Sequence, residues 1–171
     1  MKKLLVLITV IAMILSLVAC AANPAPDADA QPPVDATQAD DQEALAAADF
    51  EQVKTFLAAV QAHHALAVPV ATIREQVISG EADASELLDG LKMLSDDSQA
   101  LLANVQAAEW KTEDCSEHVA LLNELADSLA QAELLCYEAA GENDEAKLES
   151  SSAFLRTYEE KLSALLDLMG V

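Results

Sequence analysis

The sequence predicts an all-α protein, an up-down-up-down four-helix bundle with its first helix kinked or broken near Pro69 and a disordered tether ahead of it. Three observations carry this. From residue 42 onward, apolar residues return in steps of three and four, the spacing of a buried helical stripe. Ala, Leu, Glu and Asp dominate, while aromatics make up 4 % and glycine occurs only 4 times. That is the composition of long helices rather than of strands and tight turns. The breaks between the periodic segments are short, and short connections make neighbouring helices antiparallel.

The chain starts with Lys2 and Lys3, followed over residues 4–18 by an uncharged apolar run broken only by Thr9 and Ser16. A basic flank, a short apolar core and small residues at a cut site are the layout of an export signal. Its last residues, Leu17-Val18-Ala19-Cys20, are an aliphatic residue, a variable place, a small residue and a cysteine. They resemble the lipobox of bacterial lipoproteins. The resemblance covers residues 1–20 alone. It implies cleavage before Cys20, diacylglycerol on the Cys20 sulfur, and an extracytoplasmic domain held on the membrane of the cell envelope by that lipid. More than one acyl chain gives stable anchoring where one gives marginal binding. The chain then divides into a signal peptide, 1–19; a lipid anchor and Ala/Pro/Asp linker, 20–41; and a helical domain, 42–171. The linker carries Pro24, Pro26, Pro32 and Pro33 and one large aliphatic residue, Val34. It has too little apolar surface to offset the entropy of ordering.

The formal net charge is −21. Removing the signal removes Lys2 and Lys3, leaving 7 basic against 30 acidic residues, or −23. Such a chain is repelled by nucleic acid and by anionic lipid. It suits a soluble exported domain, an envelope protein partner, or a cationic ligand.

Four segments follow. The first spans about 41–79, with Val53, Leu57 and Val60 facing inward before Pro69, and Val70, Ile73 and Val77 after it. A proline inside a helix removes one hydrogen bond and clashes with the carbonyl four residues back, so a break is expected near 67–69. The second spans about 84–109, starts at an Asp83/Glu86 capping pair, and carries the stripe Leu87, Leu91, Leu94, Ser98, Leu101 and Val105. The third spans about 113–140, with Thr112 as its cap, Gly141 as its stop, and Leu122, Leu125, Leu129, Ala132 and Cys136 on its seam. The fourth spans about 144–169, with Leu148, Leu155, Tyr158, Leu162, Leu165 and Met169 inward.

Little chemistry is written into these segments. Cys115 and Cys136 lie 21 residues apart on one stripe, about 31 Å along a continuous helix. That is far beyond disulfide reach, so they read as small core residues. His63, His64 and His118 suggest no metal site, because no Glu-x-x-His motif is present and the expected layout separates them. The acidic turn 141–145 lacks the ligand order of a calcium loop. No phosphate loop, nucleophile motif or haem motif occurs, so neither an enzyme nor a cofactor is expected. The first functional reading is a lipid-anchored, non-enzymatic domain offering an acidic helical surface for binding or scaffolding. The alternative is a ligand-binding or sensor-type bundle, with a pocket at the kinked end near Pro69 where His63, His64 and Cys136 come level.

Overall fold

A computed structural model describes residues 36–171, with side chains from residue 41 onward. The signal peptide, Cys20 and the proline-rich part of the linker lie outside the described residues. Among the described residues the chain is all-helical, without a strand. It forms four long helical segments, the first divided in two: α1 Ala36–His64, α2 Ala67–Ser79, α3 Ala84–Gln106, α4 Ser116–Glu142 and α5 Glu145–Met169. The first of these begins inside the stretch read as linker.

Only Ala65 and Leu66 separate α1 from α2. Pro69 is the third residue of α2, in the first turn, where a backbone N–H has no intrahelical partner to lose. Gly80 ends α2 at φ 78°, a left-handed conformation that glycine adopts without steric cost. Asp83 stands at the extended position before α3, but its carbonyl, not its side chain, receives the Glu86 N–H at 3.0 Å.

Two helix ends differ from the sequence reading. Thr112 does not cap α4, which starts at Ser116, because the Thr112 N–H and hydroxyl are both given to Asp49. Gly141 does not stop α4 either. The helix runs on to Glu142, and Asn143 takes the left-handed position at φ 56°. Asparagine tolerates that region better than other residues with a Cβ. Asp144 then caps α5, accepting the Ala146 and Lys147 N–H groups at 2.9 and 3.2 Å.

The core gathers one stripe from each long segment. Val53, Leu57 and Val60 of α1 meet Leu102 and Val105 of α3, Leu122, Leu125 and Leu129 of α4, and Tyr158 and Leu165 of α5. Each fully buried aliphatic side chain of this kind contributes about 1.5–3 kcal/mol. Most extensive is the packing of α4 against α5, then of α3 against α4; α2 leans on α3. The stretch Asp41–Ser79 is long and apolar enough to cross a membrane by length and composition. Within it Val53, Leu57, Val60 and Val70 are buried in the protein, while Val68 and Ile78 are exposed. Leu148 departs from the expected inward stripe and is 51 % exposed.

Where Gly90 of α3 passes α2, a Cβ would stand 3.3 Å from Val70 Cγ2. The missing side chain therefore lets the short helix sit close.

Candidate functional site

Beside α2 the bundle is not filled. A cleft of about 560 Å³ opens between the end of α1, α2, the first half of α3, the second half of α4 and the start of α5. Its walls are mainly aliphatic, formed by side chains such as Val70, Leu87, Leu91 and Leu155, with Ala132 and Ala139 widening it from α4. Apolar walls with a few convergent polar groups are the usual make-up of a small-molecule site, and the volume falls in the usual range.

The polar groups come from α1, α2, α4 and α5. At the end of α1, His63 turns into the core, 8 % exposed, and its Nε2 donates to Glu133 Oε2 of α4 at 2.8 Å. The adjacent His64, about 100° further round the helix, lines the cleft and packs at a tilt of 35° against Tyr158 of α5, ring centroids 4.8 Å apart. Glu133 itself lines the cleft. One of its oxygens is engaged by His63; the other, Oε1, is buried without a partner, as is His64 Nδ1. Most buried polar atoms are satisfied, so an orphaned carboxylate oxygen in a cleft wall calls for an explanation. Cys136, one turn after Glu133, is a free thiol in the same wall. Arg74 of α2 and the acidic pair Asp144 and Glu145 stand at the rim.

The electrostatics follow from these contacts. The hydrogen bond to Glu133 holds the His63 imidazole above its ordinary pKa; burial opposes this, and the charges of Glu133 and Asp97 add to it. Burial and the nearby Glu133 charge push the Cys136 thiol up, while Arg74 works against them. A thiol so placed is a poor nucleophile near neutral pH. Tyr158 is likewise raised, by burial and by Glu133. Among the described residues no group of three His, Cys, Asp or Glu side chains is arranged to hold a metal.

Family models, curated proteins and solved structures contain no match to this chain.

Of the sequence-level candidates, His64 and Cys136 share the cleft wall, and His63 stands behind it through Glu133. Glu133 was missed. Its signal was legible in principle: it follows Leu129 by four residues and precedes Cys136 by three, so it sits on the apolar seam. Asp49 was missed for the same reason, four residues ahead of Val53 on the inner stripe of α1. Near the middle of α1, away from the cleft, His118 packs edge-on against Phe50, centroids 5.3 Å apart, and Cys115 is buried with its thiol 3.8 Å from the Ala46 carbonyl. Neither reaches the cleft.

Proposed function

We propose that this chain is a lipid-anchored, extracytoplasmic, non-enzymatic ligand-binding protein, an up-down-up-down bundle whose bend between α1 and α2 holds open a small-molecule cleft. The observation that carries the reading is the cleft itself: about 560 Å³ of mainly aliphatic wall with a half-satisfied carboxylate, Glu133, set into it. A bundle serving only as a scaffold has no need of such a space, because close packing is the lower free-energy state. Residues 1–20 support the anchoring, with Cys20 as the lipid attachment point and the acidic domain held outside the membrane by the proline-rich linker.

Cys136 provides a local reporter. In the full chain, alkylation by N-ethylmaleimide is read by mass spectrometry at Cys136, with Cys115 as an internal reference outside the cleft. Naphthylmethanol, a neutral apolar probe, is expected to slow alkylation at Cys136 and leave Cys115 unchanged. A Leu91→Trp variant, which fills the space from α3, abolishes the protection. Equal alkylation with and without probe removes the ligand-binding reading. Labelling with palmitate, lost in Cys20→Ala, tests the anchor separately.

A second reading rests on the net charge of −21. Presentation of an acidic helical surface to a basic envelope protein uses that charge and leaves the cleft unused. Crosslinking in the intact envelope separates the two.

A further inference from the structure

The cleft is apolar enough to take many small molecules, yet its polar groups are not neutral in preference. The innermost is Glu133. Its side chain is 9 % exposed, Oε2 is taken by His63 at 2.8 Å, and Oε1 has no partner. A carboxylate oxygen only accepts hydrogen bonds, so the group missing from the cleft is a donor. Leaving such an oxygen buried and unpaired is costly, and a ligand that supplies the donor relieves that cost on binding. His64 Nδ1, the other unpartnered atom of the same wall, is satisfied by a donor in one tautomer and by an acceptor in the other, so it does not oppose this choice.

Charge narrows the donor further. Asp144 and Glu145 line the cleft with a single cation, Arg74, which is 65 % exposed and directed to Glu75 at 3.6 Å. The chain as a whole carries −21. A field of that sign concentrates cations at the mouth of a low-dielectric cleft and depletes anions. A cationic donor adds to the hydrogen bond a Coulomb attraction to the carboxylate, which a low-dielectric cleft screens less than water does.

Resting on the ligand-binding reading, we infer that the cleft is built for an organic cation: a compact apolar body with a protonated amino group, whose N–H donates to Glu133 Oε1 while the body lies against Val70, Leu87, Leu91 and Leu155. The His63 contact keeps the carboxylate oriented, so that only one of its two oxygens is offered. His63 is a positioning residue here, since it touches Glu133 and not the cleft.

Three isosteric probes decide this in the full chain held in lipid nanodiscs: naphthylmethylamine, naphthylmethanol and naphthoate. For each, the free concentration that halves Cys136 alkylation is measured, with empty nanodiscs correcting for partition into lipid. The amine is expected to protect at about tenfold lower concentration than the alcohol, the scale of one charge-assisted hydrogen bond, and naphthoate to be the weakest. Glu133→Gln keeps an acceptor but removes the charge, and is expected to bring amine and alcohol within about threefold. Should that variant fail to fold, the order of the three probes on the native chain still decides. Equal protection by all three, or a preference for naphthoate, overturns the cation assignment and leaves the ligand-binding reading standing. Protection by none of them overturns both.

Discussion

Asp49 of α1 receives both the backbone N–H of Thr112, at 2.8 Å, and its hydroxyl, at 3.0 Å, across 63 residues of sequence. The Lys111 N–H completes the set at 2.8 and 3.0 Å to the two oxygens. One carboxylate, 1 % exposed, thereby satisfies the connection between α3 and α4. Burial on its own would raise the Asp49 pKa, but the donors from Lys111 and Thr112 outweigh it and hold the group below the usual carboxylate value. Asp49→Ala is expected to lower the thermal midpoint and to raise hydrogen exchange in residues 107–115 selectively. Asp49→Asn is expected to fall between, since its amide turns one acceptor into a donor facing other donors. Because the folded pKa is depressed, this stabilisation is present above the unfolded value and is lost only as pH falls through the folded one. Denaturant titration from pH 7 down to pH 3 checks this; an unchanged acid limb in Asp49→Ala contradicts it.

The buried pair of His63 and Glu133 has the opposite pH sense. His63 is raised in the folded state, so its stabilising effect is complete below the unfolded value of about 6.5 and is lost as pH rises through the folded one. Glu133 on α4 and Asp97 on α3 are the groups whose charges raise His63, and the Glu133 charge in turn raises Tyr158 on α5. Chemical denaturation between pH 6 and pH 9 is expected to show a decline that disappears in His63→Leu.

Removing one partner of that pair is expected to cost about 3–5 kcal/mol, whereas replacing both with apolar residues, His63→Leu with Glu133→Met, costs much less than the sum of the two single changes. A double-mutant cycle in urea measures the difference. Additive single effects contradict the pairing.

Gly90 tests how tightly α2 is held. Alanine gains about 1 kcal/mol of helix propensity over glycine, while its Cβ meets Val70 Cγ2 at 3.3 Å. Because α2 is a separate short helix, it is free to move by a few tenths of an ångström, and Gly90→Ala is expected to stay within about 1 kcal/mol of the native stability. Gly90→Leu pushes α2 outward and is expected to destabilise, with Val70→Ala restoring part of the loss.

Asn143 links α4 to α5 at φ 56°. Asn143→Gly is expected to stabilise by a few tenths of a kcal/mol and Asn143→Val to destabilise by about 1–2 kcal/mol, since a branched Cβ crowds the backbone in the left-handed region. Thermal unfolding at neutral pH reads both.

The all-helical character and the core were legible because they rest on repetition. Leu122, Leu125 and Leu129 announce one face by spacing alone, and all three are buried. Helix ends were less legible, because they depend on who reaches the last turn. Thr112 looks like a cap in isolation; only the folded chain brings Asp49 to it from 63 residues away. Gly141 looks like a stop, but the exposed turn after it let Asn143 serve instead. The cleft followed the same pattern. His64 and Cys136 line the cleft and His63 stands behind it, yet Glu133, which His63 contacts, reads from sequence as one acid among 30. A charge on an apolar seam is visible only when the seam is drawn through it rather than around it.

The two-residue link between α4 and α5 also has a consequence for the order in which the chain assembles. These helices pack most extensively and are close in sequence, so bringing them together costs little loop entropy. The attachments of α1 are remote by comparison: Asp49 reaches 62 and 63 residues forward, and His63 reaches 70. The α4–α5 pair is therefore expected to form early and α1 to dock late. Docking of α1 then closes the α3–α4 connection and sets the Glu133 carboxylate in a single event. In native-state hydrogen exchange, the amides of α1 are expected to open together, below the free energy of global unfolding, while those of α4 open only with the whole molecule.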